Sequence, residues 1–553
     1  MIILKKEFLH NKWYNLMRAF DTLFNPYHSQ RNPVVSKKGM VATSQPLAAQ
    51  AGLTIMQNGG NAIDAAIATA AALTVVEPTT NGIGGDAFAL VWVKNKLYGL
   101  NGSGKSPASI SIEKVKEQGY DEIPKYGFTP VTVPGQPGAW AELSRRFGKL
   151  PFKDLLQPAI QYAEEGYPIS PVLARFWEKS AVRFKEAFKG EEFNHWFDTF
   201  APNGVAPKVG EIWKSQDMAD SLRELADTEC ESFYRGNIAD KIDAYSKKYG
   251  GYITKKDLEN YKPEWMDPIS VNYRGYDVWE IPPNTQGIIV LSALNILKHL
   301  DIEGKETVDT YHKQIEAMKL AFADGKKYVA DEDHMTVTSA DLLNEAYGKA
   351  RSQLITDTAR EPEAGEVKAS GTVYLCTADE EGNMVSFIQS NYMGFGSGLV
   401  VPGTGIGLQN RACDFNLDPT SPNALAPNKR SYHTIIPGFI TKGTEAIGPF
   451  GVMGGFMQPQ GHVQVAMNTI DFNLNPQTTL DAPRWQWVKD KTIWVEKNFP
   501  HHIAETLVKR GHDIEIKLDS AGFGRGQIIW RDPETGILYG GTENRTDGHI
   551  AAY

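Results

Sequence analysis

Apolar positions divide the chain into recognisable elements. Near the start, Leu9, Trp13, Leu16, Met17, Phe20 and Phe24 recur at helical spacing and stop before Pro26. This predicts a short amphipathic packing helix within an N-terminal extension, residues 1–35. From Gly59 to Pro78 the sequence reads GGNAIDAAIATAAALTVVEP, with small or apolar residues on nearly every helical face. A helix of that kind is buried and packs closely on its neighbours. Asn61 can cap it, Asp64 suits its first turn, and Pro78 stops it. GIGGDAFALVWV from Gly82 reads as a turn running into a strand. Residues 140–360 alternate helical stretches with Gly/Pro breaks, the clearest helix being His312–Val329. Then EPEAGEVKASG, residues 361–371, is polar, charged or small and predicts an exposed loop. It leads into two uncharged runs, VYLCTA (Val373–Ala378) and MVSFIQ (Met384–Gln389), separated by the turn DEEGN. That pattern predicts a β-hairpin covered on both faces.

Composition narrows the function. A chain of 553 residues, 41% hydrophobic and 22% charged, is an ordinary globular protein with a large core. Its net charge of −9 opposes general nucleic-acid binding, which needs a basic face. The three cysteines form no disulfide framework and no CxxC pair. No signal-like apolar segment and no run of about 18 apolar residues is present, so the expectation is a soluble, cytoplasmic protein without a membrane partner. The twelve histidines lack HExxH-type spacing, which implies no metal. GTGIG from Gly403 and GFGRG from Gly522 are not dinucleotide fingerprints, so no cofactor is expected.

The candidate chemistry begins at the loop-to-strand junction. Cleavage between Gly371 and Thr372 would create a new N-terminus whose hydroxyl is a nucleophile and whose α-amine, with a pKa of about 7.7–8.0, is its base. Taken by itself, a Gly-Thr step reads as an ordinary threonine opening a strand. Gly454-Gly455 can aim consecutive N–H groups at an oxyanion or simply form a turn. Asp414, beside Asn410 and Arg411, can hold a substrate ammonium or pair with Arg411.

Ordered landmarks give these residues a context. They are PLAAQAG from Pro46, GGNAIDAA from Gly59, GIGGDAF from Gly82, VPGQPG from Val133, FYRG from Phe233 and EAMKLAFAD from Glu316. GTVYLCTADEEGNMVSF from Gly371, PNKR from Pro427 and VMGG from Val452 follow. Over residues 35–553 the chain resembles the γ-glutamyltransferase family of N-terminal-nucleophile hydrolases. The resemblance implies an α/β fold, a four-layer αββα sandwich, made jointly by a large-subunit segment, 36–371, and a small-subunit segment, 372–553. These would stay associated after cleavage. It implies Thr372 as nucleophile, Ser390 as a hydroxyl bonded to it, Gly454 and Gly455 as the oxyanion hole, and Asp414 as the holder of the donor's α-amino group, with Arg411 alongside.

The chain also departs from the family pattern. Ser103 stands where the family has an arginine for the donor carboxylate, with Lys105 nearby. His433 and Thr434 replace two serines, and Tyr392 replaces an asparagine. The loop between Asp414 and Pro427 is short, which implies an open, wet site where water competes with amine acceptors. These changes resemble the acylase-like branch, including cephalosporin acylases. The leading expectation is a γ-glutamyl amide hydrolase/transferase acting on glutathione-type substrates. The alternatives are a glutaryl- or cephalosporin-type N-acyl amidase and an unprocessed, inactive scaffold.

Overall fold

The computed structural model describes residues 31–361 and 372–553. The helix expected over residues 9–24, the loop 362–371 and the cleavage residue Gly371 lie outside the described residues.

The expected hairpin forms from Val373–Asp379 and Met384–Ser390, paired antiparallel with Val373 opposite Gln389. Every residue of both strands is buried. Alternation explains why neither strand needs a polar face. Val373 and Leu375 pack toward a helical layer, whereas Tyr374, Cys376 and Ala378 point into the space between two sheets. The hairpin is central in a seven-stranded antiparallel sheet. Gly39–Thr43 and His549–Ala552 extend it on one side; Asp86–Val93, Lys96–Gly102 and Glu264–Met266 extend it on the other. Strands from both sides of residue 371 therefore interleave in one sheet.

The second seven-stranded sheet runs in the order Val34–Ser36, Leu538–Thr542, Arg525–Arg531, Glu445–Met453, Gly438–Lys442, Tyr276–Glu280, Ile269–Tyr273. Met40, Phe88, Tyr374 and Ile388 of the first sheet meet Phe439, Met453 and Ile529 of the second in an apolar seam. Helices cover the outer faces: Pro46–Gln57, Ala62–Val76 and Gln136–Phe147 on the first, Gly287–Leu297, Val308–Tyr328 and Met457–Ile470 on the second. This is the four-layer αββα sandwich.

The small-residue helix is Ala62–Val76, and all fifteen of its residues are buried. Asn61 and Asp64 close a capping box, and Asp379 at the end of the first hairpin strand accepts the Ala62 N–H at 2.8 Å. Close approach explains the composition. A Cβ on Gly52 of the neighbouring helix would lie 2.2 Å from Thr69 Oγ1. The helix expected from His312 begins four residues earlier, at Val308, because Thr307 caps it by accepting the Thr310 N–H. The three cysteines are buried and form no disulfide among the described residues. Among the described residues no helix is long and apolar enough to cross a membrane.

Candidate active site

Thr372 immediately precedes the first hairpin strand and is fully buried. Its Oγ1 lies 3.2 Å from Ser390 Oγ, at the end of the partner strand. Antiparallel pairing brings the two hydroxyls together although eighteen residues separate them. Ser390 Oγ also accepts the Tyr392 N–H at 2.8 Å. Tyr392 has φ +74°, in the left-handed region that a bulky residue enters only at a cost of roughly 1–2 kcal/mol. Three contacts hold it there: the N–H bond to Ser390, a 2.5 Å bond from its hydroxyl to Asp414 Oδ1, and the Arg411 guanidinium 4.0 Å above its ring.

Asp414 and Arg411 sit on a short helical turn, Arg411–Asp414. Arg411 Nη1 donates to Asp414 Oδ2 at 3.0 Å and to Thr434 Oγ1 at 2.9 Å. Both side chains are almost wholly enclosed. The Arg411 Nε and Nη2 groups are buried and have no hydrogen-bond partner among the described residues. A buried donor left unpaired costs about 1–3 kcal/mol, more when charged, so these groups are suited to an incoming acceptor. Burial pushes the Tyr392 hydroxyl well above its ordinary value, with the Asp414 charge adding to the effect, so it stays a donor.

Gly454 (φ +139°) and Gly455 (φ +60°) turn the chain from the strand Glu445–Met453 into the helix Met457–Ile470. The Met457 N–H donates to the Gly454 carbonyl at 3.1 Å. Across a trans peptide the N–H points opposite to the C=O, so the Gly455 N–H is turned away from the helix. The Gly455 carbonyl accepts Gln286 Nε2 at 2.9 Å, and the same nitrogen donates to the Thr434 carbonyl at 2.5 Å. Tyr432 donates to Gln286 Oε1 at 3.0 Å. A continuous set of contacts therefore joins Thr372 and Ser390, through Tyr392, Asp414, Arg411, Thr434 and Gln286, to Gly455. Beside it lies a cavity of about 400 Å³ whose walls include Asp414, Phe415, Leu417, Tyr432, Phe456 and Lys326. A larger depression of about 570 Å³, between Gly138 and Pro263, holds none of these groups.

Ser103 and His433 lie beside this network with their polar atoms engaged, whereas Lys105 faces away from it. The Ser103 hydroxyl is buried and bonded to Asn101 Oδ1 at 2.7 Å. Lys105 is exposed and lines a separate depression with Lys262, Glu264 and Arg430. Both His433 nitrogens are engaged. Its Nδ1 accepts the Ile435 N–H, which puts the hydrogen on Nε2, 3.2 Å from Asp86 Oδ2. Burial drives the His433 pKa well below the ordinary value and Arg411 adds to this, while burial raises Asp86 to about 7. His433 is therefore neutral at pH 7. The loop after Asp414 is packed down by Phe415, Leu417 and Leu425 against Ile110, Val115 and Ile123.

Gln286 and Asp86 were not among the sequence candidates. Gln286 lies in PPNTQG, whose turn residues give no sign of a contact 169 positions away. Asp86 was visible only as part of the GIGGDAF landmark.

Comparison with known proteins fits this geometry. The family model described as Gamma-glutamyltranspeptidase matches residues 48–553. The glutathione hydrolase-like YwrD proenzyme of Bacillus subtilis (strain 168) is 35% identical over 93% of this chain and 98% of its own length. The oxamate amidohydrolase proenzyme of Klebsiella pneumoniae subsp. pneumoniae is 33% identical over 94% and 99% respectively. The crystal structure of cephalosporin acylase from Bacillus halodurans superposes with a TM-score of 0.94 at 63% identity, covering 97% of this chain and 99% of that one. The chain belongs to the γ-glutamyltranspeptidase family and is a γ-glutamyl or acyl amide hydrolase of the N-terminal-nucleophile fold.

Proposed function

We propose that the protein is a self-processing amidase with Thr372 as nucleophile, and that its acyl donor carries a carboxylate bound by Arg411. The supporting observation is the run of contacts from the Thr372 hydroxyl to Arg411, whose Nε and Nη2 have no partner among the described residues. In maturation, Thr372 Oγ1 attacks the Gly371 carbonyl carbon. The C–N bond breaks, an ester forms, and the nitrogen leaves as the Thr372 amine. Water then hydrolyses the ester to a Gly371 carboxylate and a free hydroxyl. The interleaved sheet keeps the two fragments together.

In turnover the α-amine takes the Oγ1 proton as Oγ1 attacks the substrate amide carbon. The Gly454–Gly455 N–H groups hold the oxyanion. The departing amine takes the proton, and water releases the acyl group by the reverse proton path. Gln286 holds the Gly455 carbonyl and so sets the adjoining peptide. Each neutral hydrogen bond contributes about 0.5–1.5 kcal/mol. Gln286→Leu removes the bonds to the Gly455 and Thr434 carbonyls and should lower kcat by roughly 5- to 150-fold with KM changed much less. A matching rise in KM at constant kcat would assign Gln286 to substrate binding instead.

The donor's other end is where γ-glutamyl and glutaryl readings separate. Asp414 already faces Arg411 and Tyr392, so its negative charge is offset before any ammonium arrives. Arg411 in contrast has donors to spare. This favours a carboxyacyl donor without an α-amino group, such as a glutaryl amide. One relative is named for oxamate, an amide bearing a carboxylate and no ammonium. A γ-glutamyl donor is the second reading. It is supported by Asp414 standing at the position where the family holds the donor's amino group, as a buried carboxylate on the wall of the cavity. Parallel kinetics on glutaryl- and γ-glutamyl-p-nitroanilide decide between them. We expect kcat/KM at least about tenfold higher for the glutaryl compound. The opposite order would overturn the donor assignment and leave the nucleophile assignment standing.

A further inference from the structure

A second buried polar cluster lies away from the nucleophile. His312, Glu316 and Lys319 share one face of the helix Val308–Tyr328 at i, i+4 and i+7, and each is almost completely buried. His512, from the other chain segment, completes the group. Their contacts converge on the backbone of residues 356–360. The Arg360 N–H donates to Glu316 Oε2 at 3.1 Å, and the Arg360 carbonyl accepts Lys319 Nζ at 3.0 Å. Lys319 and Glu316 are themselves 2.8 Å apart. The ion pair thus grips both polar groups of one residue, whatever its side chain. One turn away, His312 Nε2 lies 2.7 Å from the Thr356 carbonyl. The Ala359 N–H donates to the Arg510 carbonyl at 2.7 Å.

Three of these groups lie close enough to suggest a cation site. The protonation pattern gives them another use. The Thr356 carbonyl only accepts, so His312 carries its hydrogen on Nε2 and presents a lone pair at Nδ1. His512 Nε2, 2.8 Å away, must then donate to it. Lys319 already occupies Glu316. Apart from His512 Nδ1, which is buried without a hydrogen-bond partner among the described residues, the groups satisfy one another or bond to backbone. Burying an ion pair brings little net stability, so its use here is positional.

We infer that His312, Glu316, Lys319 and His512 form a backbone clamp that positions the chain for cleavage at Gly371–Thr372, separately from the machinery that hydrolyses substrate. This rests on the proposed self-processing. From Arg360 to Thr372 is twelve residues; from Ser352, where the preceding helix ends, it is twenty. Releasing this whole stretch, the Thr356 and Ala359 contacts included, would move the fixed point back and lower the closure probability about twofold by chain entropy, as the 3/2 power of length. Loss of direction adds to that.

The test follows full-length chains made by cell-free synthesis, scoring precursor and fragments by denaturing electrophoresis. Glu316→Gln/Lys319→Met should slow processing about threefold or more. The kcat and KM per titrated mature nucleophile should stay within about twofold of the parent. Glu316→Gln alone keeps an acceptor for the Arg360 N–H and should be milder, which separates a weakened clamp from a failed fold. Processing at the parental rate in the double variant overturns the inference. So does an equal fall in processing and mature kcat, which would make the cluster structural only. One-to-one uptake of Zn²⁺ by the parent protein, lost in His312→Ala, would overturn it in favour of a metal site.

Discussion

Thr372→Ala should yield a single intact chain of 61.2 kDa with no measurable amidase activity. The expected loss is at least about three orders of magnitude, because removing a nucleophile abolishes the covalent route and leaves only binding and oxyanion stabilisation. The fold should survive. The substitution deletes one buried hydroxyl bonded to Ser390, a cost of about 1 kcal/mol in a domain with a large core. Near-ultraviolet circular dichroism and a thermal melt check that the protein remains native. Thr372→Ser keeps a hydroxyl and an α-amine, so it should still cleave, more slowly. Normal fragments from the alanine variant would remove Thr372 from the mechanism of maturation.

Arg411→Gln should invert the preference between donors. Hydrogen bonds to a charged group contribute about 1.5–3 kcal/mol. At about 1.4 kcal/mol per decade, kcat/KM on a glutaryl amide should fall roughly 10- to 150-fold. The loss on a γ-glutamyl amide should be smaller, because freeing Asp414 from its cation improves its hold on an ammonium. Glutamine retains a donor for Thr434 and for Asp414, which limits the penalty of leaving a buried carboxylate without its partner. Equal losses on both substrates would mean that Arg411 only supports Tyr392 and Thr434.

Much of the frame was legible from residue patterns because each pattern has one stable placement. The uncharged runs at Val373 and Met384 could only be strands buried on both faces. The Ala-rich stretch after Asn61 had to pack closely, as the 2.2 Å approach at Gly52 shows. The junction at Thr372 and its partner Ser390 followed from the landmarks and the hairpin. The donor end was less legible. Its geometry depends on side chains meeting across long sequence separations, which no periodicity records. Ser103 and Lys105 looked available as carboxylate partners, yet one hydroxyl is taken by Asn101 and the other side chain is exposed in a separate depression. His433 looked like a substrate contact, but Asp86 and the Ile435 N–H occupy both nitrogens. Asp414 pairs with Arg411, as its place beside that residue allowed. Gln286 is a glutamine in a turn until the fold brings Gly455 to it.

The most direct test of the nucleophile is the intact mass of the active protein, measured under denaturing conditions before and after brief exposure to a slowly hydrolysed acyl donor. The account predicts two fragments, 1–371 and 372–553, with the acyl adduct confined to the second and mapped by fragmentation to its first residue, Thr372. Full activity from an uncleaved 61.2 kDa chain, or an adduct on any other residue, would contradict it.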